Sequence, residues 1–384
     1  MNNQRILIIT RNLPPLVGGM ERLNWHMADE LSKYAEVKII APKGSAALKP
    51  ENVTITECPL KPLPLFMLVA LCKAIWLALT YKPTTVLAGS GLTAPLAWLA
   101  SKLAGAKSAA YLHGLDITVQ SKPYQKIWVP FFKRLDHIIV NSTPTKQLAL
   151  NAGIQEEKIG IVYPGVEIPN APQPAEAIQA FKQKHQLEDK KILLSVGRLT
   201  TRKGLKEFVE NALPNIVKKV PNALLLVVGE APKNSLGAGI QTRDEIEKAA
   251  HINHISNNIV FLGKVNEQIL NICFELAHLH IFPIRYIKDD PEGFGMVAIE
   301  AAAHGLPTIA FATGGVIDAV KNEYSGYLVK SGDYNELGKK VIEALQLNKT
   351  SWRDNCKVFA SSFEWQHFGI NICTIIQSQM QKKE

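Results

Sequence analysis

The sequence predicts an α/β protein made of two Rossmann-like, doubly wound domains that face each other across a cleft. Its 384 residues are more than one hydrophobic core of ordinary size accommodates. Short apolar runs alternate with amphipathic helical patterns along most of the chain, which is typical of parallel α/β construction. The alternation stops near Glu167 and then starts again. These observations predict two domains of similar construction.

Seven strand candidates lie in the first half of the chain. Several are apolar on both faces, as expected for strands buried inside a parallel sheet. In chain order they are RILIIT, VKIIAP, VTITECP, TTVLAG, KSAAYLHG, HIIVNS and IGIVYPG. We therefore predict a first domain of residues 1–170, with ligands bound beyond the carboxyl ends of its strands.

A proline-rich stretch, IPNAPQPAEA, follows the first half and is predicted to link the domains. Six further strand candidates come after it: KILLSVGRL, ALLLVVGE, NIVFLGKV, LHIFPI, PTIAFA and GYLVK. The final stretch, FEWQHFGINICTIIQSQM, has apolar residues at helical spacing. We predict a second domain of residues 171–363 and a terminal helix, about residues 364–384, that crosses back to the first domain.

Composition and charge exclude several classes of protein. The five cysteines are widely spaced and form no CxxC pair, which argues against a disulfide framework or a thiolate zinc site and favours a reducing cytoplasm. The amino terminus runs from MNNQ straight into RILIIT, which leaves no room for a standard signal peptide. The net charge is +9, of which +6 lies in residues 1–180. Because the sequence has no basic run interleaved with aromatic residues, we expect no nucleic-acid partner.

The most apolar stretch is LPLFMLVALCKAIWLALT, residues 63–80. Pro64 and Lys73 interrupt it, so it falls short of the roughly 18 to 20 uninterrupted apolar residues of a transmembrane helix. We predict a helix that is buried or lies at an interface. With Trp76, Lys73 and the basic first half, it suggests docking to an anionic membrane surface; an ordinary buried helix is the alternative.

Two segments of the first domain carry candidate site residues. Gly18 and Gly19 precede a helix that begins near Met20, where close backbone approach and a helix amino terminus favour an anion such as phosphate. The pattern is not the GxGxxG of dinucleotide oxidoreductases. In YLHGLDI, His113 stands at the carboxyl end of the fifth strand with Asp116 close by. Catalytic and structural roles for this histidine both remain open.

The second domain opens with SVGRLTTRKGL, in which two cations follow the first strand. Arg198 and Lys203 would converge with a helix amino terminus that begins at Gly204. That combination suits a diphosphate, because both fixed cations and backbone amides stabilise its charge. The alternative is a basic loop in solvent.

The stretch PEGFGMVAIE holds one glutamate on a glycine-rich turn and another in an apolar helix. Glu292 can accept hydrogen bonds from hydroxyl groups, and the amides from Phe294 to Val297 can face an anion as the helix begins. Glu300 can turn inward to a second pair of hydroxyls, as in the recognition of sugars and ribose. The alternative is that Glu300 pairs with an internal Arg or Lys, because buried charges are rarely unpaired.

Taken together, these motifs resemble glycosyltransferase family 4. The resemblance rests on the Gly-Gly loop, the HG-x-D of His113, the GRL-x3-KG of Arg198 and Lys203, the E-x7-E of Glu292 and Glu300, and the segment GLPTIAFATGG. It covers nearly the whole chain and implies the GT-B fold. It also implies a retaining, metal-independent hexosyltransferase that uses a nucleoside diphosphate sugar and no cofactor. The acceptor would be a glycan or lipid-linked glycan of the bacterial cell envelope, met in the cytoplasm or at the inner face of the membrane.

The resemblance also assigns roles to individual residues. It implies that Arg198 and Lys203 hold the donor diphosphate, that Glu292 contacts the donor sugar and that Glu300 contacts the ribose. His113 would lie by the transferred sugar, and with Arg198, Lys203 and Glu292 it makes up the predicted catalytic set. The predicted donor site comprises Gly19, Arg198, Lys203, Glu292, Gly293, Phe294, Gly295, Met296, Val297 and Glu300. The predicted acceptor side comprises Gly18, Gly19, His113 and Asp116.

Some features depart from the family pattern or leave alternatives open. His278 stands where the family often has Asp, and a GEAP turn at residues 229–232 replaces a GDGP-like turn, so the donor, UDP- or GDP-linked, stays open. His278 and His280 could bind a metal or simply share a strand face, and no D-x-D occurs, so no metal is expected. A GT-B nucleotide-sugar epimerase and a non-catalytic GT-B sugar-binding partner are the alternatives to a transferase.

Overall fold

The computed structural model describes residues 4–232, 239–347 and 349–377, and it divides into two compact units. Unit 1 comprises Met1–Gly165 and Trp365–Glu384, and unit 2 comprises Val166–Glu364. The chain therefore leaves unit 1 at Gly165, five residues before the boundary expected from the sequence. The proline-rich stretch that was expected to link the domains belongs to the beginning of unit 2.

Unit 1 is built on a sheet of seven parallel strands in the order β3-β2-β1-β4-β5-β6-β7. The strands are β1 (Arg5–Ile9), β2 (Glu36–Pro42), β3 (Val53–Cys58), β4 (Thr85–Ala88), β5 (Lys107–Leu112), β6 (His137–Val140) and β7 (Ile159–Ile161). All seven predicted strands are confirmed. The strand order reverses between β1 and β4, which is the switch point where such sheets bind ligands.

Six helices of unit 1 connect these strands. They are α1 (Gly19–Ser32), α2 (Leu63–Thr80), α3 (Ala94–Ala104), α4 (Leu115–Thr118), α5 (Val129–Arg134) and α6 (Thr143–Asn151), and a π-helical turn, Tyr124–Trp128, precedes α5. Helices α2, α3 and α5 lie side by side over one apolar core, because α3 packs against both of the others. Burial of their small and apolar residues against the sheet fixes that layer.

Unit 2 is built on six parallel strands in the order β10-β9-β8-β11-β12-β13. The strands are β8 (Lys191–Val196), β9 (Ala223–Val228), β10 (Ile259–Gly263), β11 (Leu279–Phe282), β12 (Thr308–Phe311) and β13 (Gly326–Val329). Its helices are α7 (Ala175–Lys184), α8 (Leu205–Asn211), α9 (Leu213–Lys219), α10 (Arg243–Ile252), α11 (Glu267–Leu276), α12 (Met296–Ala303), α13 (Val316–Ala319), α14 (Tyr334–Gln346) and α15 (Lys349–Ser361). All six strands match the sequence prediction.

The last helix, α16 (Trp365–Gln377), belongs to unit 1, as the sequence predicted. It packs against α1, where the rings of Trp365 and His26 stack with centroids 4.0 Å apart. Phe368 is buried beside Tyr111, with ring centroids 5.9 Å apart. Burial lowers the pKa of His26 to about 3, and the nearby Arg22 and Lys33 act in the same direction. The contact therefore involves a neutral imidazole at physiological pH.

Residues 63–80 form a helix, as predicted, but the prediction that this helix is too short to span a membrane is wrong. Among the described residues it is the one helix long and apolar enough to cross a bilayer, with 18 residues and a mean hydropathy of 2.1. Pro64 and Lys73 therefore do not exclude a span. The fold gives the stronger argument, because Phe66, Ala70 and Ala74 are buried in the core of unit 1. One side of α2 is thus part of the folded unit.

Candidate active site

The loop that follows β8 is shaped by two glycines with positive φ, Gly197 at +138° and Gly204 at +67°. Gly204 is the N-cap of α8, and a Cβ built on it would lie 2.2 Å from the backbone oxygen of Pro283. The β8 loop therefore passes directly over the carboxyl end of β11. This close approach places Lys203 against β11, with its Nζ 4.6 Å from the ring centroid of Phe282. Only glycine combines that φ with such close backbone contact.

A cluster of four charged side chains forms where this loop meets the segment before α12. The Nζ of Lys203 lies 2.9 Å from Oε2 of Glu292, and Nη1 of Arg202 donates to the same oxygen. The Nε of Arg202 lies 3.3 Å from Oδ1 of Asp290. All four side chains are 20% exposed or less. Two cations and two carboxylates are thus paired at low exposure, as charges away from water must be.

The electrostatics of this cluster favour the binding of an anion. Burial lowers the pKa of Lys203 well below its ordinary value, and the guanidinium groups of Arg202 and Arg198 lower it further. Asp290 and Glu300 act in the opposite direction. Arg198 is exposed, so it adds positive charge beside Lys203 without being part of the buried pairing. Phosphate oxygens would relieve the repulsion among these three cations.

The glycine-rich turn before α12 is held by Gly314 and Gly315, which lie in the loop after β12. The amide of Gly315 donates to the backbone oxygen of Glu292 at 2.9 Å. A Cβ on Gly315 would lie 2.1 Å from the backbone oxygen of Gly293, and one on Gly314 would lie 2.6 Å from that of Glu292. The TGG that ends GLPTIAFATGG therefore packs against the loop that carries Glu292. These contacts explain why both segments are rich in glycine.

The remaining donor-side predictions lie at the start of α12. Gly295 caps the helix with φ +92°, and Met296 and Val297 are its first residues, whose amides have no acceptor one turn earlier within the helix. The ring of Phe294 is buried beside Phe363, so this residue can offer only its backbone to a ligand. Glu300 lies one turn along α12 and is half-buried rather than fully buried.

In unit 1, His113 follows β5 at the carboxyl edge of the sheet. Its Nε2 lies 3.1 Å from the backbone oxygen of Gly89, which follows β4. A carbonyl oxygen can only accept, so Nε2 carries a proton and donates in this contact. Oδ2 of Asp116 accepts from the His113 amide at 2.9 Å, so this carboxylate holds the turn that positions His113.

Gly18 and Gly19 lie at the same edge, after β1. Gly19 is the first residue of α1, one position before the expected start, and Gly18 is extended, with φ 167°. A Cβ on Gly18 would lie 2.3 Å from Oε2 of Glu21, whose other oxygen accepts from Nδ2 of Asn12 at 2.8 Å. The Asn12–Glu21 pair thus holds the turn, and a larger residue at position 18 would displace the Glu21 carboxylate. Both glycines are exposed.

Gly89 lies between α1 and His113. A Cβ on Gly89 would lie 2.3 Å from Oδ1 of Asn24, a buried atom without a hydrogen-bond partner in the described structure. The segment after β1 and the residues after β4 and β5 therefore meet at the switch point of the unit 1 sheet. The sequence placed His113 and the Gly-Gly turn at this edge, but it did not point to Asn24 or Gly89.

The two histidines considered as metal ligands make other contacts. Nδ1 of His278 accepts from the amide of Ile192 at 3.1 Å, and Nδ1 of His280 lies 3.0 Å from Oγ1 of Thr308. Burial lowers the pKa of His280 to about 3, and Lys203 adds to the effect. No group of three or more His, Cys, Asp or Glu able to hold a metal ion occurs within residues 4–232, 239–347 and 349–377. Metal independence itself stays a prediction.

Sequence reasoning missed Arg202 and Asp290 as members of the cluster. Arg202, rather than Arg198, shares Glu292 with Lys203. The available signal was the Arg202–Lys203 pair directly before Gly204, since adjacent cations at a helix start favour an anion. Asp290 directly follows Asp289 in the sequence, and nothing local indicates that it contacts Arg202.

Comparison with known families identifies the chain. A family model described as glycosyl transferases group 1 matches residues 177–359, and a second, described as Glycosyltransferase Family 4, matches residues 17–168. The chain belongs to glycosyltransferase family 4. This glycosyltransferase is 25% identical over 369 residues to the GDP-mannose-dependent alpha-(1-6)-phosphatidylinositol monomannoside mannosyltransferase of Mycobacterium tuberculosis, and the match covers 89% of each chain.

Solved structures show that this glycosyltransferase has the GT-B fold. A glycosyltransferase from Rickettsia africae superposes with a TM-score of 0.82 over the full length of both chains, at 20% identity. Anabaena HepE, in complex with UDP-glucose, superposes with a TM-score of 0.79 over 98% of this chain and all of its own, also at 20% identity. The family and its named relatives make this chain a transferase, so they support neither an epimerase nor a non-catalytic partner.

Proposed function

We propose that this glycosyltransferase moves a sugar from a nucleoside diphosphate to an acceptor hydroxyl, with retention of anomeric configuration and without a metal ion. The observation that carries the proposal is the cluster of Arg202, Lys203, Asp290 and Glu292 at low exposure, with Arg198 beside it. Three cations gathered next to the amino terminus of α12 are suited to a pyrophosphate.

The cluster also offers a way to couple donor binding to recognition of its sugar. In the structure, one oxygen of Glu292 is shared by Arg202 and Lys203. Phosphate oxygens compete with this carboxylate for the same cations. A bound diphosphate would therefore release Glu292 to accept hydrogen bonds from sugar hydroxyls. We propose that Glu292 binds the donor sugar in this way and that Glu300 binds the ribose.

The reaction needs charge stabilisation more than a nucleophile. The bond between the anomeric carbon and the β-phosphate oxygen breaks, and the acceptor oxygen bonds to the same face of that carbon. The acceptor proton passes to the leaving phosphate. Arg198, Arg202, Lys203 and the first amides of α12 would stabilise the charge that develops on the diphosphate. His113 would orient the transferred sugar.

The relatives support a nucleotide-sugar donor without deciding which one. The mycobacterial relative is GDP-mannose-dependent by name, whereas the Anabaena structure holds UDP-glucose. The same relative acts on a phosphatidylinositol monomannoside, and a Staphylococcus aureus relative is a capsular polysaccharide biosynthesis glycosyltransferase. We therefore propose a glycan or lipid-linked acceptor of the cell envelope, with the enzyme in the cytoplasm at the inner face of the membrane.

A donor screen followed by turnover of charge variants tests this proposal. We expect one class of UDP- or GDP-sugar to raise the melting temperature of the wild type, since a bound donor stabilises the native state. Lys203→Ala and Arg198→Ala should each lower kcat about 100-fold or more with that donor, because each removes a group that stabilises the leaving diphosphate. Addition of EDTA should leave wild-type turnover unchanged.

Lys218→Ala is the matched control, because Lys218 is an exposed lysine on α9 of the same unit. It should turn over like the wild type. Wild-type rates in Lys203→Ala and Arg198→Ala, or loss of activity with EDTA that added Mg²⁺ restores, would contradict the proposed chemistry. Nuclear magnetic resonance of the product decides between retention and inversion.

A further inference from the structure

Helix α2 carries an apolar stripe on the side that faces away from the core. Leu65, Leu68, Cys72, Trp76 and Leu79 are all exposed and recur at intervals of three and four residues, which places them on one face of a helix. Leu68, Trp76 and Leu79 are each more than half exposed. The helix is apolar on both sides: one side packs into unit 1, and none of the unit 1 residues between 4 and 165 or between 365 and 377 covers the other.

Positive charge is concentrated on the same layer of unit 1. Residues 59–135, which include α2, α3, the π-helical turn and α5, hold nine Lys and Arg and one acidic residue. Their net charge of +8 nearly equals the +9 of the whole chain. The single acidic side chain, Asp116, is hydrogen-bonded to the amide of His113. The exposed cations of these residues are Lys61, Lys82, Lys102, Lys122, Lys126, Lys133 and Arg134.

We propose that this layer, here called the basic face (the exposed sides of α2, α3, the π-helical turn and α5), docks on an anionic phospholipid bilayer. Apolar side chains with neighbouring cations match the chemistry of such a surface, where acyl chains lie beneath negative headgroups. Exposed Ile127 on the π-helical turn and Leu103 on α3 extend the apolar contact beyond α2. This proposal depends on the proposed function in one respect only, which is that the acceptor is held in a membrane.

Three alternatives fit the basic face less well: a second copy of the chain, a nucleic acid and a transmembrane position of α2. A second copy of the chain would bring together two faces that each carry seven exposed cations, and like charges oppose such pairing. Nucleic acid would not use a stripe of leucines. A transmembrane position would require α2 to leave the sheet, because Phe66, Ala70 and Ala74 are fully buried in unit 1. The helix therefore lies in the plane of the bilayer surface.

The location of α2 suits delivery of an acceptor. Helix α2 follows β3 and precedes β4, which are parallel strands, so it runs antiparallel to them and starts at the carboxyl edge of the sheet. His113 and the Gly18–Gly19 turn lie at that same edge. The amino-terminal part of the stripe, with Leu65 and Leu68, would thus bring this edge to the lipid surface where a lipid-linked acceptor is exposed.

Cys72 supplies a reporter in the middle of the stripe. All five cysteines lie in the described part of the chain, and the other four are buried. An environment-sensitive maleimide dye on Cys72 should shift its emission to the blue when vesicles with about one third phosphatidylglycerol are added. Pure phosphatidylcholine vesicles should produce little shift. Val358 is an exposed residue of α15. A dye on Val358→Cys in a Cys72→Ser background should therefore not respond.

Co-sedimentation with the same vesicles tests the contributions of the cations and of the apolar stripe separately. Lys102→Glu/Lys126→Glu should lower the partition coefficient at least about tenfold, since each cation near an anionic surface contributes roughly a fivefold factor. Leu68→Gln/Trp76→Gln should also lower it. The matched controls are Lys218→Glu/Lys248→Glu and Ile252→Gln/Val358→Gln, which change exposed residues of unit 2 in the same way. Both should bind like the wild type.

The measurements need neither donor nor acceptor, so they are independent of the reaction. Lys203→Ala, which should lack activity, should bind vesicles normally. Absence of binding to anionic vesicles, or equal binding by the face variants and the wild type, would overturn the proposal. A stripe-dependent dimer in sedimentation equilibrium without vesicle binding would overturn it too, in favour of a second copy as the occupant.

Discussion

At the scale of single residues, the candidate site depends on the carboxylate of Glu292. It lies 89 residues after Lys203 and 90 after Arg202, and both cations reach the same oxygen. The pairing keeps three charges in place at low exposure in the absence of a donor. Because phosphate can replace the carboxylate as their partner, the cluster provides cations for the donor and a free acceptor for its sugar.

Lys203 should make donor binding dependent on pH. Burial and the neighbouring arginines lower its pKa in the empty protein, and a bound diphosphate would raise it again. Binding is then coupled to proton uptake, so affinity for UDP or GDP should be constant below the pKa of the empty protein. It should weaken as the pH rises through that value. Isothermal titration calorimetry in buffers of different ionisation enthalpy measures the protons taken up.

The matched control for this linkage is Lys203→Arg, whose guanidinium stays charged throughout the accessible range. It should bind with a flatter pH profile over the same interval. An identical decline in both proteins would mean that another group titrates, and proton release on binding would contradict the sign of the effect.

At the scale of elements, the passage from β8 to α8 depends on Gly204. The residue has φ +67°, and an added Cβ would lie 2.2 Å from Pro283 O. Gly204→Ala should therefore combine backbone strain with a clash against β11. We expect a loss of about 1 to 3 kcal/mol in unfolding free energy from the strained conformation alone, with more from the clash. Donor affinity should fall as well, since the adjacent Lys203 is displaced.

Gly105→Ala is a close control for this variant. Gly105 has φ +65°, and nothing lies within 4 Å of its Cβ position, so the substitution carries the strain without the clash. Chemical denaturation of both variants separates the two contributions. Equal losses of stability would show that the close contact with Pro283 adds nothing to the cost of the substitution. Unchanged donor affinity in Gly204→Ala would show that this turn does not contribute to donor binding.

At the scale of the whole molecule, the chain returns to complete the unit with which it began. Helix α16 buries Phe368, Ile372 and Ile376 within unit 1, more than 200 residues after the rest of that unit ends. Unit 2 is continuous in sequence, whereas unit 1 is assembled from two segments. We therefore expect the stability of unit 1 to depend on its last helix.

Phe368→Ala measures this contribution. Removing a ring that is 2% exposed should destabilise unit 1 by about 3 to 5 kcal/mol. Ile370→Ala, in the same helix and 42% exposed, should cost less than about 1 kcal/mol. Thermal unfolding followed by circular dichroism gives both values. Similar losses in the two variants would mean that α16 contributes little to the packing of unit 1.

The sequence by itself determined the architecture of this protein. The 13 strands of the described residues were predictable, because strands buried on both faces of a parallel sheet have short continuous apolar sequences. The loops after β1, β5 and β8 and the turn before α12 were also predictable, since their glycines and charged residues are local signals. The motifs of Arg198, Lys203, Glu292 and Glu300 were sufficient to indicate the family.

Only the tertiary structure decided which of these groups meet and which remain exposed. Arg202, not Arg198, contacts Glu292, and Asp116 positions His113 through its backbone. Helix α2 is apolar all round, so its pattern cannot show which side is covered; the packing of unit 1 buries Phe66 and leaves Trp76 exposed. The physical reason is that periodicity records a local preference for burial, whereas pairing across about 90 residues depends on how the strands are ordered in the sheet.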